Sequence, residues 1–221
     1  MKEKLKNSAL VIVDEINSFF PERPGYPAGE LPVPGAHEIV PVTNKLIRLF
    51  EKLQRPIVAA NEDHEDVSVE ESEHFKKFGR HGIRGTRGAE FYPDLNLPKS
   101  LVVFYKGSKK EVHGYSGFEG YTKEGLSLEK FSRSKKVNTL VVVGLAIDYC
   151  VGNTVRDALK VPREETGEVL LRGDKFNVIV VSDAIKAVNY PELNRGEVWI
   201  GKMKAAGAIF MTSSEVIERL V

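Results

Sequence analysis

Six short runs of mostly apolar residues constrain this chain more than anything else in it: Ala9–Val13, Pro56–Ala60, Leu101–Tyr105, Thr139–Val143, Asn177–Val181 and Ala208–Thr212. A strand apolar at successive positions is buried on both faces, which is the pattern of a parallel sheet covered by helices. Helical periodicity separates the runs. A helix is predicted from about His37 to Leu53, with Ile39, Val42, Leu46, Leu49 and Leu53 on its buried side. Others are predicted near Leu126–Phe131, from Cys150 through Leu159, from about Pro191 to Ala206, and at the end of the chain around Val216, Ile217 and Leu220. Alternating strands and helices predict a three-layer α/β fold of the Rossmann type. Its sheet has six mostly parallel strands, right-handed crossovers and helices on both faces. At 221 residues, with no repeat and no linker, residues 1–221 are expected to form a single domain.

Composition narrows the function classes. Lys+Arg 32 against Asp+Glu 31 leaves a net charge of +1, so neither a nucleic-acid footprint nor an acidic partner is expected. Hydrophobic content of 42% and charged content of 29% are those of a globular protein in water. One cysteine excludes internal disulfides and fits a reducing, cytoplasmic setting. The longest apolar runs are strand-length, so neither a signal peptide nor a membrane span is read.

Ligands of parallel α/β sheets bind beyond the carboxyl ends of the strands. Three chemically useful residues fall there on three different strands: Asp14, Lys106 and Cys150. The lone cysteine sits where strand turns into helix, where unpaired N–H groups and the helix dipole are expected to lower a thiol's pKa. A carboxylate can take the thiol proton, and a lysine can hold that carboxylate and offset the charge that builds up. A Cys–His pairing would instead have to use His64, His74 or His81. The polar stretch from Asn61 to Lys99 is too long to be a plain connection and is expected to carry function. Val161–Lys175 reads as an irregular excursion with room for a small hairpin.

Three motifs in order carry a resemblance. They are Gly144-Leu-Ala-Ile-Asp-Tyr-Cys-Val151, then Phe104-Tyr-Lys-Gly107 followed by Tyr115-Ser-Gly-Phe-Glu-Gly120, and His81-Gly-Ile-Arg-Gly-Thr-Arg-Gly-Ala-Glu-Phe91. With these, the chain resembles the nicotinamidase branch of the isochorismatase-like cysteine hydrolases from Ala9 to about Val216. The resemblance implies an isochorismatase-like fold, with Cys150 as nucleophile, Asp14 as general base and then acid, and Lys106 as their electrostatic partner. It further implies a cis peptide at Leu145–Ala146, directing the N–H groups of Ala146 and Cys150 at one spot as an oxyanion hole.

The same resemblance implies a divalent metal ion, zinc ahead of iron or manganese, held by Glu62, His64 and His81 and gripping a pyridine nitrogen. Asp63 is the neighbouring alternative to Glu62, and a further ligand is sought among Glu70, Glu73 and His74, with His74 best spaced. Phe19, Phe78, Tyr115 and Tyr149 fall at the family's substrate-contacting positions, though each is also an ordinary core type. Expected partners are a small-molecule amide and further copies of the chain in a homo-oligomer, dimer or tetramer; neither nucleic acid nor membrane is expected.

The chain also departs from the family. Asp14-Glu-Ile-Asn-Ser-Phe19 lacks the glutamine and second aspartate of D-x-Q-N-D-F, Ile147 replaces a threonine, and two residues are inserted between Lys106 and Tyr115. Hydrolysis of nicotinamide is the leading reading. Its alternatives are a relative acting on a ureido or carbamoyl compound, or on an isochorismate vinyl ether, and a catalytically silent binding module.

Overall fold

A computed structural model describes residues 5–108, 114–163, 166–190 and 193–221. Six strands, β1 (Ser8–Val13), β2 (Ile57–Glu62), β3 (Val102–Lys106), β4 (Thr139–Leu145), β5 (Asn177–Lys186) and β6 (Ile209–Met211), form one sheet in the order β3-β2-β1-β4-β5-β6. Every strand pair is parallel, so the expected "mostly parallel" sheet is parallel throughout. Among the described residues six α-helices cover it: α1 (Ala36–Lys52), α2 (Glu73–Phe78), α3 (Leu128–Ser134), α4 (Cys150–Ala158), α5 (Arg195–Ala206) and α6 (Ser213–Leu220).

The unbroken apolar runs are explained by the pleat. In β1, Ala9, Val11 and Val13 enter one core with Leu128 and Phe131 of α3, Val151 and Val155 of α4 and Met203 of α5. Leu10 and Ile12 point the other way, to Leu46, Ile47 and Phe50 of α1 and Val216 and Leu220 of α6. β4 and β5 divide in the same manner, Leu140, Val142, Val178 and Val180 on one side and Val141, Val143, Ile179 and Val181 on the other.

Several boundaries differ from expectation. On α1 the buried stripe is Ile39, Val40, Thr43, Leu46, Ile47 and Phe50, whereas Val42, Leu49 and Leu53 are only partly buried. The apolar-only stripe misses this because two polar residues belong to the buried face. Thr43 Oγ1 donates to Glu15 at 2.8 Å and Asn44 Nδ2 donates to the Asp94 carbonyl at 2.8 Å. The polar stretch after β2 contains α2, capped by the Ser72 side chain accepting from the Phe75 N–H. No strand occurs among the described residues of Val161–Lys175, so the hairpin is not found there. α5 begins at Arg195; Pro191, the expected start, lies outside the described residues.

The strand order reverses between β1 and β4, which opens a crevice at their carboxyl ends. Gly144 is required there. Its φ is +114°, and a Cβ would stand 2.0 Å from the Val13 carbonyl oxygen. Next comes a cis peptide at Leu145–Ala146, as the resemblance implied.

Candidate active site

Three adjacent strand ends and the start of α4 converge in the crevice. Asp14 follows β1, Glu62 ends β2, Lys106 ends β3, and Cys150 opens α4. Strands lie about 4.8 Å apart, so Lys106 stands roughly 10 Å from the β1 backbone and only a long side chain spans the gap. Lys106 Nζ reaches Asp14 Oδ2 at 2.7 Å, Cys150 Sγ at 3.4 Å and Glu62 Oε1 at 3.6 Å. The backbone N–H of Glu62 donates to Asp14 Oδ1 at 2.8 Å, while the Cys150 thiol lies 3.6 Å from Glu62 Oε1. All four side chains are buried.

Burial shapes their ionisation. Desolvation raises the Asp14 carboxyl to about 6 against the pull of Lys106. Burial alone would lower the Lys106 ammonium, but the charges of Asp14 and Glu62 hold it above its ordinary value. Burial alone would raise Glu62, yet Lys106 and His81 keep it well below the usual carboxylate range. The Cys150 thiol is pushed up by desolvation, with Lys106 opposing. This corrects the expectation that the helix start lowers it. A fully enclosed sulfur beside two carboxylates loses more from desolvation and repulsion than a helix terminus returns. Cys150 therefore rests as a thiol, and ionising it requires the proton to go to a neighbour.

Glu62 also joins this cluster to a second one. Its other oxygen, Oε2, lies 3.0 Å from His81 Nε2 and 3.4 Å from His64 Nε2, and His74 Nε2 lies 3.3 Å from His81 Nε2. The His64 and His81 rings are oriented from behind: Nδ1 meets the Gly107 carbonyl at 3.0 Å in one and the Gly79 carbonyl at 2.9 Å in the other. A carbonyl only accepts, so Nδ1 carries the hydrogen in each ring and each Nε2 faces Glu62. Gly107 allows the close approach; a Cβ there would sit 2.5 Å from His64 Cε1.

Glu62 Oε2 and His64 Nε2 are buried with no hydrogen bond. Lone pairs facing one another in a buried space call for a cation between them, either a proton or a metal ion. Glu62, His64, His74 and His81 each offer one ligand atom, all within 4.8 Å of one another. Carboxylate oxygen with imidazole nitrogens is a donor set suited to a divalent transition metal.

Glu70 and Glu73, weighed as ligands from the sequence, are absent from this cluster. Asp63 is not in it either; its carboxylate turns outward and takes a 2.7 Å hydrogen bond from Arg84 Nε. It cannot do otherwise, because successive residues at the end of a strand point to opposite faces. His74 joins the cluster through α2, a helix within the long polar stretch after β2.

Both clusters open into one pocket of ≈ 170 Å³. The four aromatic residues singled out in the sequence line it together: Phe19, Phe78, Tyr115 and Tyr149. Phe78 meets Tyr149 edge to face with centroids 5.5 Å apart, Tyr115 lies 6.1 Å from Tyr149, and Phe19 lies 5.6 Å from the His81 ring. Leu31, Val33, Val188 and Tyr190 line it as well and carry no sequence motif.

Ser18, where the family pattern has its second aspartate, accepts from the Gly82 N–H at 2.9 Å and donates to Glu30 Oε2 at 2.6 Å. Glu30, in the connection between β1 and α1, thus brings a carboxylate back toward the segment that carries His81. The missing aspartate was the one sequence signal that could have pointed to it.

A parallel α/β sheet with a buried Asp–Lys–Cys cluster at its strand ends, beside a nest of imidazoles and a carboxylate, defines the class of protein. Residues 8–215 match the Isochorismatase domain, and the chain belongs to that family. It is 32% identical over 159 residues to the nicotinamidase/pyrazinamidase of Mycobacterium tuberculosis, covering 69% of this chain and 78% of that protein. The crystal structure of Pyrococcus horikoshii pyrazinamidase in complex with zinc superposes with a TM-score of 0.74 at 31% identity, covering 93% of this chain and 99% of that one. The N-carbamoylsarcosine amidase of Thermoplasma acidophilum follows with a TM-score of 0.68 at 28% identity, covering 94% and 96% of the two chains. No helix among the described residues is long and apolar enough to cross a membrane.

Proposed function

We propose that this chain hydrolyses nicotinamide to nicotinate and ammonia through a thioester on Cys150. The observation that carries the reading is the shared pocket. An enclosed thiol with its own carboxylate and ammonium stands at one side, an imidazole–carboxylate nest at another, and flat aromatic walls lie around them. Such walls suit a planar heteroaromatic ring, and the relatives include nicotinamidases and pyrazinamidases.

In this reading Asp14 accepts the thiol proton as Cys150 Sγ attacks the carboxamide carbon. Lys106, 2.7 Å from Asp14 and 3.4 Å from the sulfur, keeps the net charge of the pair low as the proton crosses. The N–H groups of Ala146 and Cys150 receive the developing oxyanion. Asp14 then returns the proton to the departing nitrogen, ammonia leaves, and Asp14 draws a proton from the water that opens the thioester and passes it to the departing Cys150 sulfur, which restores the thiol. Glu62, His64 and His81, with His74, would hold a divalent ion, for which zinc is the reading. Such an ion supplies a Lewis-acid position for a ring nitrogen. We also assign the protein to the cytoplasm and to a homo-oligomer, as the sequence reading expected.

Ammonia release from a panel of nicotinamide, pyrazinamide, benzamide and an N-carbamoyl amino acid, with metal content measured on the same protein, tests the proposal. Turnover of the two ring amides with poor turnover of benzamide is expected. Preference for the carbamoyl compound would move the assignment to the ureido-type relatives, and no release from any amide would overturn it.

A further inference from the structure

The described residues between the end of β5 at Lys186 and the start of α5 at Arg195 lie in neither strand nor helix. Even so, Val188 and Tyr190 line the pocket. What holds them is the loop that carries the nucleophile. Asp148 is fully buried, and its two oxygens accept separate backbone hydrogen bonds, from Val188 N–H at 3.0 Å and Asn189 N–H at 2.8 Å. The Ile147 N–H donates to the Lys186 carbonyl at 2.8 Å, and the Tyr149 hydroxyl donates to the Tyr190 carbonyl at 2.8 Å.

Asn189 takes a left-handed φ of +55°, and its side-chain oxygen accepts from the Gly196 N–H at 2.9 Å, tying the segment to the first turn of α5. The Arg195 guanidinium lies 4.7 Å from the centroid of the Tyr149 ring, on the same stitch. Three successive residues before the nucleophile, Ile147, Asp148 and Tyr149, therefore each grip the segment, and three of these four bonds end on its backbone at Val188, Asn189 and Tyr190.

We propose that Asp148 and the Tyr149 hydroxyl are specificity-positioning residues: they fix Val188–Tyr190 as the wall that limits how large a ring an amide substrate can carry. The inference rests on the amide-hydrolase reading of the pocket and adds a determinant that lies outside its reacting groups. A buried carboxylate spent entirely on two backbone donors is expensive to desolvate, and holding those donors is what it achieves. Because the wall is a loop, it yields to a bulky substituent once its tethers are cut. Phe19, Phe78 and Tyr115 supply the other aromatic walls.

The test uses metal-loaded protein and two measurements. The first is amide hydrogen exchange across residues 186–190 in wild type, Tyr149→Phe and Asp148→Asn. The second is calorimetric affinity, in the Cys150→Ala background, for nicotinamide and for a nicotinamide bearing a phenyl group on its ring. Exchange should quicken by about tenfold or more in each variant. The preference for the unsubstituted ring should fall by about tenfold in Tyr149→Phe, the scale on which a pocket discriminates bulk. Tyr149→Phe keeps the ring and its packing, so it decides the matter if Asp148→Asn does not fold. Unchanged exchange in Tyr149→Phe, or a preference for the unsubstituted ring that stays within about twofold of wild type, overturns the proposal. Wild-type ammonia release, measured separately, reports on the amidase reading. A protein without amidase activity whose segment still loosens in both variants, with the preference shifted, would leave the clamp standing and the reaction reassigned.

Discussion

At the strand ends Asp14, Lys106 and Cys150 pair with one another while buried, with a 2.7 Å ion pair and a 3.4 Å contact to sulfur. Beyond Glu62, the imidazoles of His64, His74 and His81 are just as buried, yet Glu62 Oε2 and His64 Nε2 face each other with no hydrogen bond, the outer nitrogens of His64 and His81 being spent on carbonyls. One half of the site is electrostatically complete within the chain; the other is complete only with a cation. Glu62 belongs to both, through Oε1 to Lys106 and Oε2 to the histidines. In the proposed reaction the difference separates a half that carries out chemistry from a half that binds.

The largest expected effect comes from removing the sulfur. Cys150→Ala should lower turnover on the order of 10⁴-fold or more, because no other nucleophile is enclosed with Asp14. Its metal content should match wild type, since the histidine nest does not include the sulfur. Substantial residual activity would move the nucleophile elsewhere.

Asp14→Asn comes next. An amide cannot accept the thiol proton, and kcat should fall roughly 10²- to 10⁴-fold, the usual worth of a positioned acid–base group. The same group sets a pH limb in the wild type. Asp14 must be ionised to accept the proton, and its carboxyl is raised to about 6, so kcat/KM should decline as pH falls through that value. A flat profile down to pH about 5 would break the assignment of the base.

Stripping the metal should act on the other half. Chelation, or His81→Ala, should raise KM for nicotinamide about tenfold or more with a smaller loss in kcat, because the pocket loses a ring contact while the thiol keeps its own base. Benzamide, which lacks the ring nitrogen, should be affected little. Metal-free protein with an unchanged KM would erase the division between the two halves.

The smallest effect on turnover is expected at Glu15, one residue from Asp14 and equally buried, but paired only with the Thr43 hydroxyl. Burial raises its carboxyl to about 8 from an ordinary 4.5. Between those values the folded chain holds a proton that the unfolded chain has released, so stability is lost as pH rises from about 4.5 toward 8. Glu15→Gln keeps an acceptor for Thr43 and removes that cost. It should match wild type near pH 5 and exceed it by roughly 3 kcal/mol at pH 8 in denaturant unfolding. Equal stability at both pH values would mean that Glu15 does not keep its proton.

Read alone, the sequence determined the alternation of strand and helix and the strand ends at Asp14, Lys106 and Cys150, because burial on both sheet faces and helical periodicity are local patterns that survive in one dimension. The family motifs added the cis bond at Leu145–Ala146, the pairing of His64 with His81, and the four aromatic positions. Only the tertiary structure decided that Glu62 rather than Asp63 turns inward, since this depends on where β2 ends and which face its last residue presents. It alone brought His74 in through α2, raised the thiol of Cys150 by enclosing it, and joined Asp148 and Tyr149 to residues some forty positions away at Val188–Tyr190. Contacts of that range leave no periodicity in the chain, and desolvation is a property of what surrounds a group rather than of its neighbours in sequence.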